Sequence, residues 1–191
     1  KSDSFEAHNN LGIALIKLNK VTEAINSFEN AIKIKSDYYE AHNNLGNVLN
    51  QQEKIEDAIK SYQKAISIKP DYLEAYNNLG TVFDKIENFD QAIENYKHAI
   101  KIKPDFTKAY NNLAASLVRQ GRFDEAIKNY NKVLELEPNK AQYAINAKLL
   151  IPTIPESNKH LNLWREKFNS AIDQLKKNKF VIKDPQKTIN P

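Results

Sequence analysis

Apolar and polar positions follow a helical period along most of the chain. His42, Leu45, Gly46 and Leu49 stand at i, i+3, i+4 and i+7, the spacing of one helical face. A second apolar face follows in Ile55, Ala58, Ile59, Tyr62, Ala65 and Ile66, with mostly polar residues between them. Gly46 and Ala58 are small where two antiparallel helices should approach closely. Pro70 ends the second helix because it has no backbone N–H to donate. The pattern predicts a helical hairpin that is apolar on one side. One hairpin cannot bury that side alone, so neighbours must stack.

The hairpin pattern recurs. The stretch AHNNLG begins at Ala7 and Ala41, AYNNLG at Ala75 and AYNNLA at Ala109; 41 − 7, 75 − 41 and 109 − 75 are each 34. Each copy then has a small residue at Ala24, Ala58, Ala92 or Ala126 and an aromatic at Phe28, Tyr62, Tyr96 or Tyr130. Ala31, Ala65, Ala99 and Val133 come next, and the copies end at Ser36, Pro70, Pro104 and Pro138. A fixed period of this length marks a stacked-repeat architecture.

This order of residues resembles the tetratricopeptide repeat in four copies, 5–38, 39–72, 73–106 and 107–140. The resemblance implies an all-α, right-handed superhelical solenoid of helix-turn-helix repeats whose first helices line a concave groove. His8 and His42 stand where the family prefers an aromatic, Ala114 replaces its glycine and Val133 a small residue.

The doubled asparagine in every copy calls for an explanation, because asparagine costs roughly 0.5–0.7 kcal/mol against alanine inside a helix. With His42 set to zero and about 100° per residue, Leu45, Gly46 and Leu49 lie within about 60° of it and define the buried face. Asn44 then falls at about 200°, Glu40 at about 160°, Asn47 at about 140° and Gln51 at about 180°, all opposite the core. The equivalent rows are Glu6, Asn10, Ile13 and Lys17; Glu74, Asn78, Thr81 and Lys85; and Lys108, Asn112, Ala115 and Arg119. Asn43 falls at about 100°, on the flank. It is therefore expected, with Asn9, Asn77 and Asn111, to bond within or between repeats.

Asn10, Asn44, Asn78 and Asn112 form the expected binding ladder, with Asn47, Gln51, Lys85 and Arg119 beside it. An amide side chain has both donor and acceptor, so it can pair with the backbone of an extended guest whatever the guest's side chains. Four net hydrogen bonds at about 1 kcal/mol each correspond to near-millimolar affinity. Replacing Asn44 and Asn78 by alanine is expected to weaken capture and to leave stability unchanged or slightly raised.

Composition narrows the chemistry. The 191 residues include no cysteine, which excludes disulfides and thiolate metal sites. No apolar run reaches the roughly 18–20 residues of a membrane span, and the N-terminus has no signal-peptide core. These features lead to a cytoplasmic expectation with no membrane partner. The absence of methionine even at position 1 gives the chain the look of a segment of a larger protein. Lys plus Arg against Asp plus Glu is 19 to 20 over 1–140 and 9 to 4 over 141–191. The repeats carry no basic excess, so nucleic acid is not an expected partner.

No catalytic residue, metal or cofactor is expected. His8 and His42 occupy the packing place of Tyr76 and Tyr110, and spacing gives His98 and His160 no partner. Asp57, Asp90, Asp124 and Glu125 start second helices, where a negative charge favours the positive helix end. The lysine, asparagine and arginine clamp with which some tetratricopeptide domains hold acidic chaperone tails is not assembled in register: Asn9 and Ile13 stand at two of its places.

After residue 140 the pattern decays. Residues 141–176 read as a degenerate repeat and capping helix, with Ser157 as N-cap and Leu161, Trp164, Phe168, Ile172 and Leu175 on one face. Residues 177–191 read as a basic tail or a linker to a missing domain. The stretch IPTIPESNKHLNLWREKFNSAIDQL, with its WRxxF element at Trp164 to Phe168 and a later DP, resembles the join to the catalytic half in bacterial SPINDLY-type relatives of O-linked N-acetylglucosamine transferase. That resemblance implies the substrate-recruiting region of a glycosyltransferase, without its catalytic half. The leading expectation is a scaffold that binds an extended protein segment in its groove. Self-assembly through exposed repeat ends is the third reading.

Overall fold

The structure, a computed structural model, describes residues 4–138 and, beyond them, Glu166, Asn169, Ser170 and Asp173 alone. The described residues form eight helices and no strand: α1 (Phe5–Lys17), α2 (Val21–Ile34), α3 (Tyr39–Gln51), α4 (Ile55–Ile68), α5 (Leu73–Lys85), α6 (Phe89–Ile102), α7 (Thr107–Arg119) and α8 (Phe123–Leu136). They pair as α1/α2, α3/α4, α5/α6 and α7/α8. The all-α helical-hairpin architecture is therefore present. The capping helix and the WRxxF join lie outside the described residues, although Glu166, Asn169, Ser170 and Asp173 are helical and exposed.

Each helix stops where its sequence requires. The second helices end at Ile68, Ile102 and Leu136, two residues before Pro70, Pro104 and Pro138. Lys35, Lys69 and Lys103 then take extended backbone, turning the chain into the next repeat. Within hairpins, the turn is made by a left-handed residue, Asn19, Glu53, Glu87 or Gly121, with φ of 59°, 59°, 59° and 73°. Acidic residues occupy the first turns of α4, α6 and α8, including Asp57, Asp90 and Asp124.

The chain divides into two compact units, Lys1–Pro104 and Asp105–Pro191. In the first, α2 packs on α3 and α4 on α5, while α1 meets α3 and α3 meets α5. One core cluster joins Leu15, Ala24, Phe28 and Val48; the next joins Leu49, Ala58, Tyr62, Leu79 and Val82. Each cluster draws on two consecutive hairpins, so the apolar side of one is covered by the next. The small positions have a structural cause. A Cβ on Gly46 would meet the Tyr62 ring at 2.8 Å, and one on Gly12 would meet Phe28 at 2.6 Å.

Aromatic pairs tie the first residue of a repeat to its last. Phe5 meets Tyr38 and Tyr39 meets Tyr72 edge to face, each with ring centroids 4.8 Å apart. Lys35 lies 4.5 Å from the Phe5 ring centroid and Lys69 lies 4.6 Å from that of Tyr39. His42 is buried as a packing residue, and its Nε2–H donates to the Ser36 carbonyl oxygen at 3.0 Å. In the second unit, α7 and α8 bury Ala109, Leu113, Ala114, Leu117, Ala126, Tyr130 and Val133. There Thr107 Oγ1 donates to Glu137 Oε1.

Candidate functional site

In the first three copies the two asparagines occupy different environments, as their helical angles predict, whereas Asn111 and Asn112 of the fourth are both half-buried. Asn9, Asn43 and Asn77 are buried, whereas Asn44 and Asn78 are half-exposed and Asn10 is exposed. The flank asparagines do join repeats: Asn44 Nδ2 donates to Asn9 Oδ1 at 2.9 Å, and Asn78 Nδ2 donates to Asn43 Oδ1 at 3.1 Å. Asn78 Nδ2 also donates to Asn47 Oδ1 at 3.0 Å.

The expected ladder is thus partly engaged within the protein. Both N–H groups of Asn78 and one of Asn44 point to the preceding repeat, which leaves Oδ1 of each for another donor. The physical reason is the side-by-side contact of α1 with α3 and of α3 with α5, which sets each second asparagine beside the first asparagine of the preceding copy. The expectation that removing Asn44 and Asn78 leaves stability untouched is accordingly revised.

Four of the expected site residues, Asn44, Asn47, Gln51 and Asn78, line one concave pocket of about 380 Å³ in the first unit. Ile13, Lys17 and Thr81 of the same rows join them. The pocket also takes Ile16, Phe28, Val48, Asn50 and Tyr62, which the row-by-row reading did not include. Asn50 falls at about 80° on the same wheel, toward the core, so its position gave no signal of a groove. Its Oδ1 is buried and has no hydrogen-bond partner. Tyr62 Oη donates to Asn47 Oδ1 at 2.8 Å, fixing that rung from below, and burial raises the phenol pKa well above its ordinary value.

The remaining expected residues lie elsewhere. Asn10 is exposed outside the pocket lining, and Lys85 pairs with Glu53 at 3.5 Å on an exposed surface. Asn112 and Arg119 belong to the second unit, where Asn111 Nδ2 donates to Asn112 Oδ1 at 3.5 Å. His98, left without a partner by spacing, stacks on Tyr76 with centroids 5.2 Å apart. Among the described residues, no group of His, Asp and Glu is placed to hold a metal, and no helix is long and apolar enough to cross a membrane.

A profile of the TPR repeat matches residues 14–52 and 46–86, and a tetratricopeptide repeat profile matches 73–106 and 107–140. The chain belongs to the tetratricopeptide repeat family. Such repeats form a non-catalytic scaffold for protein–protein interaction, and this tetratricopeptide chain shares that architecture.

A solved structure of MamA is 32% identical over 75% of this chain and 84% of its own, with a TM-score of 0.68. A second MamA structure is 33% identical over 74% and 77%, with a TM-score of 0.65. YrrB, described as a TPR protein with an unusual peptide-binding site, shares the fold with a TM-score of 0.71 at 22% identity, over 94% and 88%. Comparison with curated proteins gives no match.

Proposed function

We infer that this tetratricopeptide array captures an extended segment of a partner protein in the groove formed by α1, α3 and α5. The observation that carries the reading is the pocket that brings Asn44, Asn47, Asn78 and Gln51 to one surface across consecutive repeats. Asn44 and Asn78 are positioned by their bonds to Asn9 and Asn43, so little side-chain entropy is lost when a guest binds. Their unused carbonyl oxygens accept main-chain N–H groups, while Asn47 Nδ2 and the exposed Gln51 amide donate to main-chain carbonyls. Recognition of this kind reads backbone more than sequence. Asn10 and Lys85 extend the proposed ladder within the first unit, and Asn112 and Arg119 are the equivalent residues of the second unit.

The test is a binding screen on an array of random dodecapeptides, with each positive peptide then titrated into isotope-labelled protein. Side-chain amide signals of Asn44, Asn47 and Asn78 should move. Shifts confined to the opposite face, around Tyr76 and His98, would overturn the reading.

Self-assembly is the second reading, favoured by one observation. Leu11 on α1 is 49% exposed, whereas its counterpart in the third repeat, Leu79, is 4% exposed under its neighbours. Light scattering that shows mass rising with concentration, and a Leu11→Ser variant that stays monomeric, would support it; constant monomer mass excludes it. Recruitment for a glycosyltransferase rests on the resemblance of residues 151–191.

A further inference from the structure

The three repeats around the pocket differ in one coupled pair of positions. In the second repeat Tyr62 Oη donates to Asn47 Oδ1 at 2.8 Å, and in the third Tyr96 Oη donates to Thr81 Oγ1 at 3.5 Å. The first repeat has Phe28 and Ile13 at the same places, which removes the hydroxyl and its acceptor together. Ile13 and Phe28 both line the pocket, joined by Ile16 and Val48. At its α1 end the pocket therefore presents Ile13, Ile16 and Phe28, with Lys17 beside them, and at its α5 end Asn78 and Thr81.

A further feature sets the α1 end apart. Ile13 is 39% exposed, a large aliphatic side chain on a helix face that carries Asn47 and Thr81 in the following copies. A volume of about 380 Å³ holds one bulky side chain with its flanking main chain. It lies at the small end of the roughly 300–1,000 Å³ of ligand pockets.

We propose that the α1 end of this pocket seats one aliphatic side chain of the extended guest, Leu or Ile in size. The proposal rests on the reading of the groove as a peptide site and adds the anchor that the ladder lacks. Backbone pairing alone gives near-millimolar binding. Burying one leucine side chain strengthens it by about tenfold or more. The guest class is then an extended segment with an aliphatic residue among polar neighbours.

Two acetylated, amidated nonapeptides of Ser and Thr, one with Leu at the centre and one with Ser there, distinguish the two levels. Each is titrated to about 10 mM, above the near-millimolar affinity expected of the ladder, and followed by NMR. The expected result is movement of the Asn44 and Asn78 amides with both peptides, about tenfold tighter binding of the Leu peptide, and movement of the Ile13 and Ile16 methyls with that peptide alone.

Ile13→Ser, at a partly exposed position and checked by circular dichroism, should abolish the Leu preference while the amide shifts persist. Equal binding of the two peptides, or a preference that survives Ile13→Ser, overturns the anchor and leaves the groove reading standing. Silence of the Asn44 and Asn78 amides with both peptides overturns the groove reading and the anchor with it.

Discussion

Asn44 Nδ2 donates to Asn9 Oδ1 at 2.9 Å, joining two residues 35 apart in sequence across a repeat boundary. Asn9 is buried, so Asn44→Ala leaves its carbonyl oxygen without this donor and should cost roughly 1–3 kcal/mol. Asn10→Ala, at an exposed site, should change stability by less than about 0.5 kcal/mol. Urea unfolding of the two variants measures the difference. Equal stability would show that the asparagine bond adds nothing to repeat stacking.

The glycine of the second repeat is required by the ring beside it. Gly46→Ala sets a Cβ 2.8 Å from a Tyr62 ring that is buried and held by its hydroxyl bond to Asn47. Overpacking of this kind costs about 3 kcal/mol, and alanine's better helix propensity offsets about 1 kcal/mol of it. A net loss of about 2 kcal/mol is expected in chemical denaturation, with α-helical content unchanged in circular dichroism at low denaturant.

The hairpin turns contain an avoidable strain. Glu87 has φ of 59°, in the left-handed region where the equivalent residue of the fourth repeat is Gly121. Glu87→Gly removes the Cβ clash and should stabilise the protein by roughly 0.5–1 kcal/mol, a gain read as a raised melting temperature. An unchanged or lowered melting temperature would show that the turn is relaxed with a side chain in place.

His42 makes stability depend on pH. Burial lowers its pKa below the ordinary 6.5, opposed by the Ser36 carbonyl that accepts its N–H and assisted by repulsion from Lys64. The unfolded chain therefore binds the proton more readily. This contribution to stability is complete above about pH 6.5 and declines as pH falls through that value toward the lowered folded pKa. Thermal melts from neutral to mildly acid pH should show the decline, and His42→Tyr, the residue type at positions 76 and 110, should flatten it.

The hairpins, their 34-residue period and the separation of the two asparagines are legible because helix periodicity depends only on local chain geometry. The angle of about 200° for Asn44 against about 100° for Asn43 matches a half-exposed and a buried side chain. The pocket was legible in part. Asn44, Asn47, Gln51 and Asn78 come from rows visible on a helical wheel. Asn50 and Phe28 do not, since they enter the lining through the packing of one helix on another. His98 likewise finds Tyr76 only once α5 and α6 pair.

The sequence by itself therefore determined the helices, their ends at the prolines and the face each residue shows, because these follow from period, backbone donors and side-chain size. Which donor each ladder amide keeps, and that Asn50 Oδ1 is left without one, was decided only by tertiary structure. Those outcomes depend on where one hairpin lies against the next. Hydrogen bonds form over about 3 Å, a distance that no pattern along a single helix can supply.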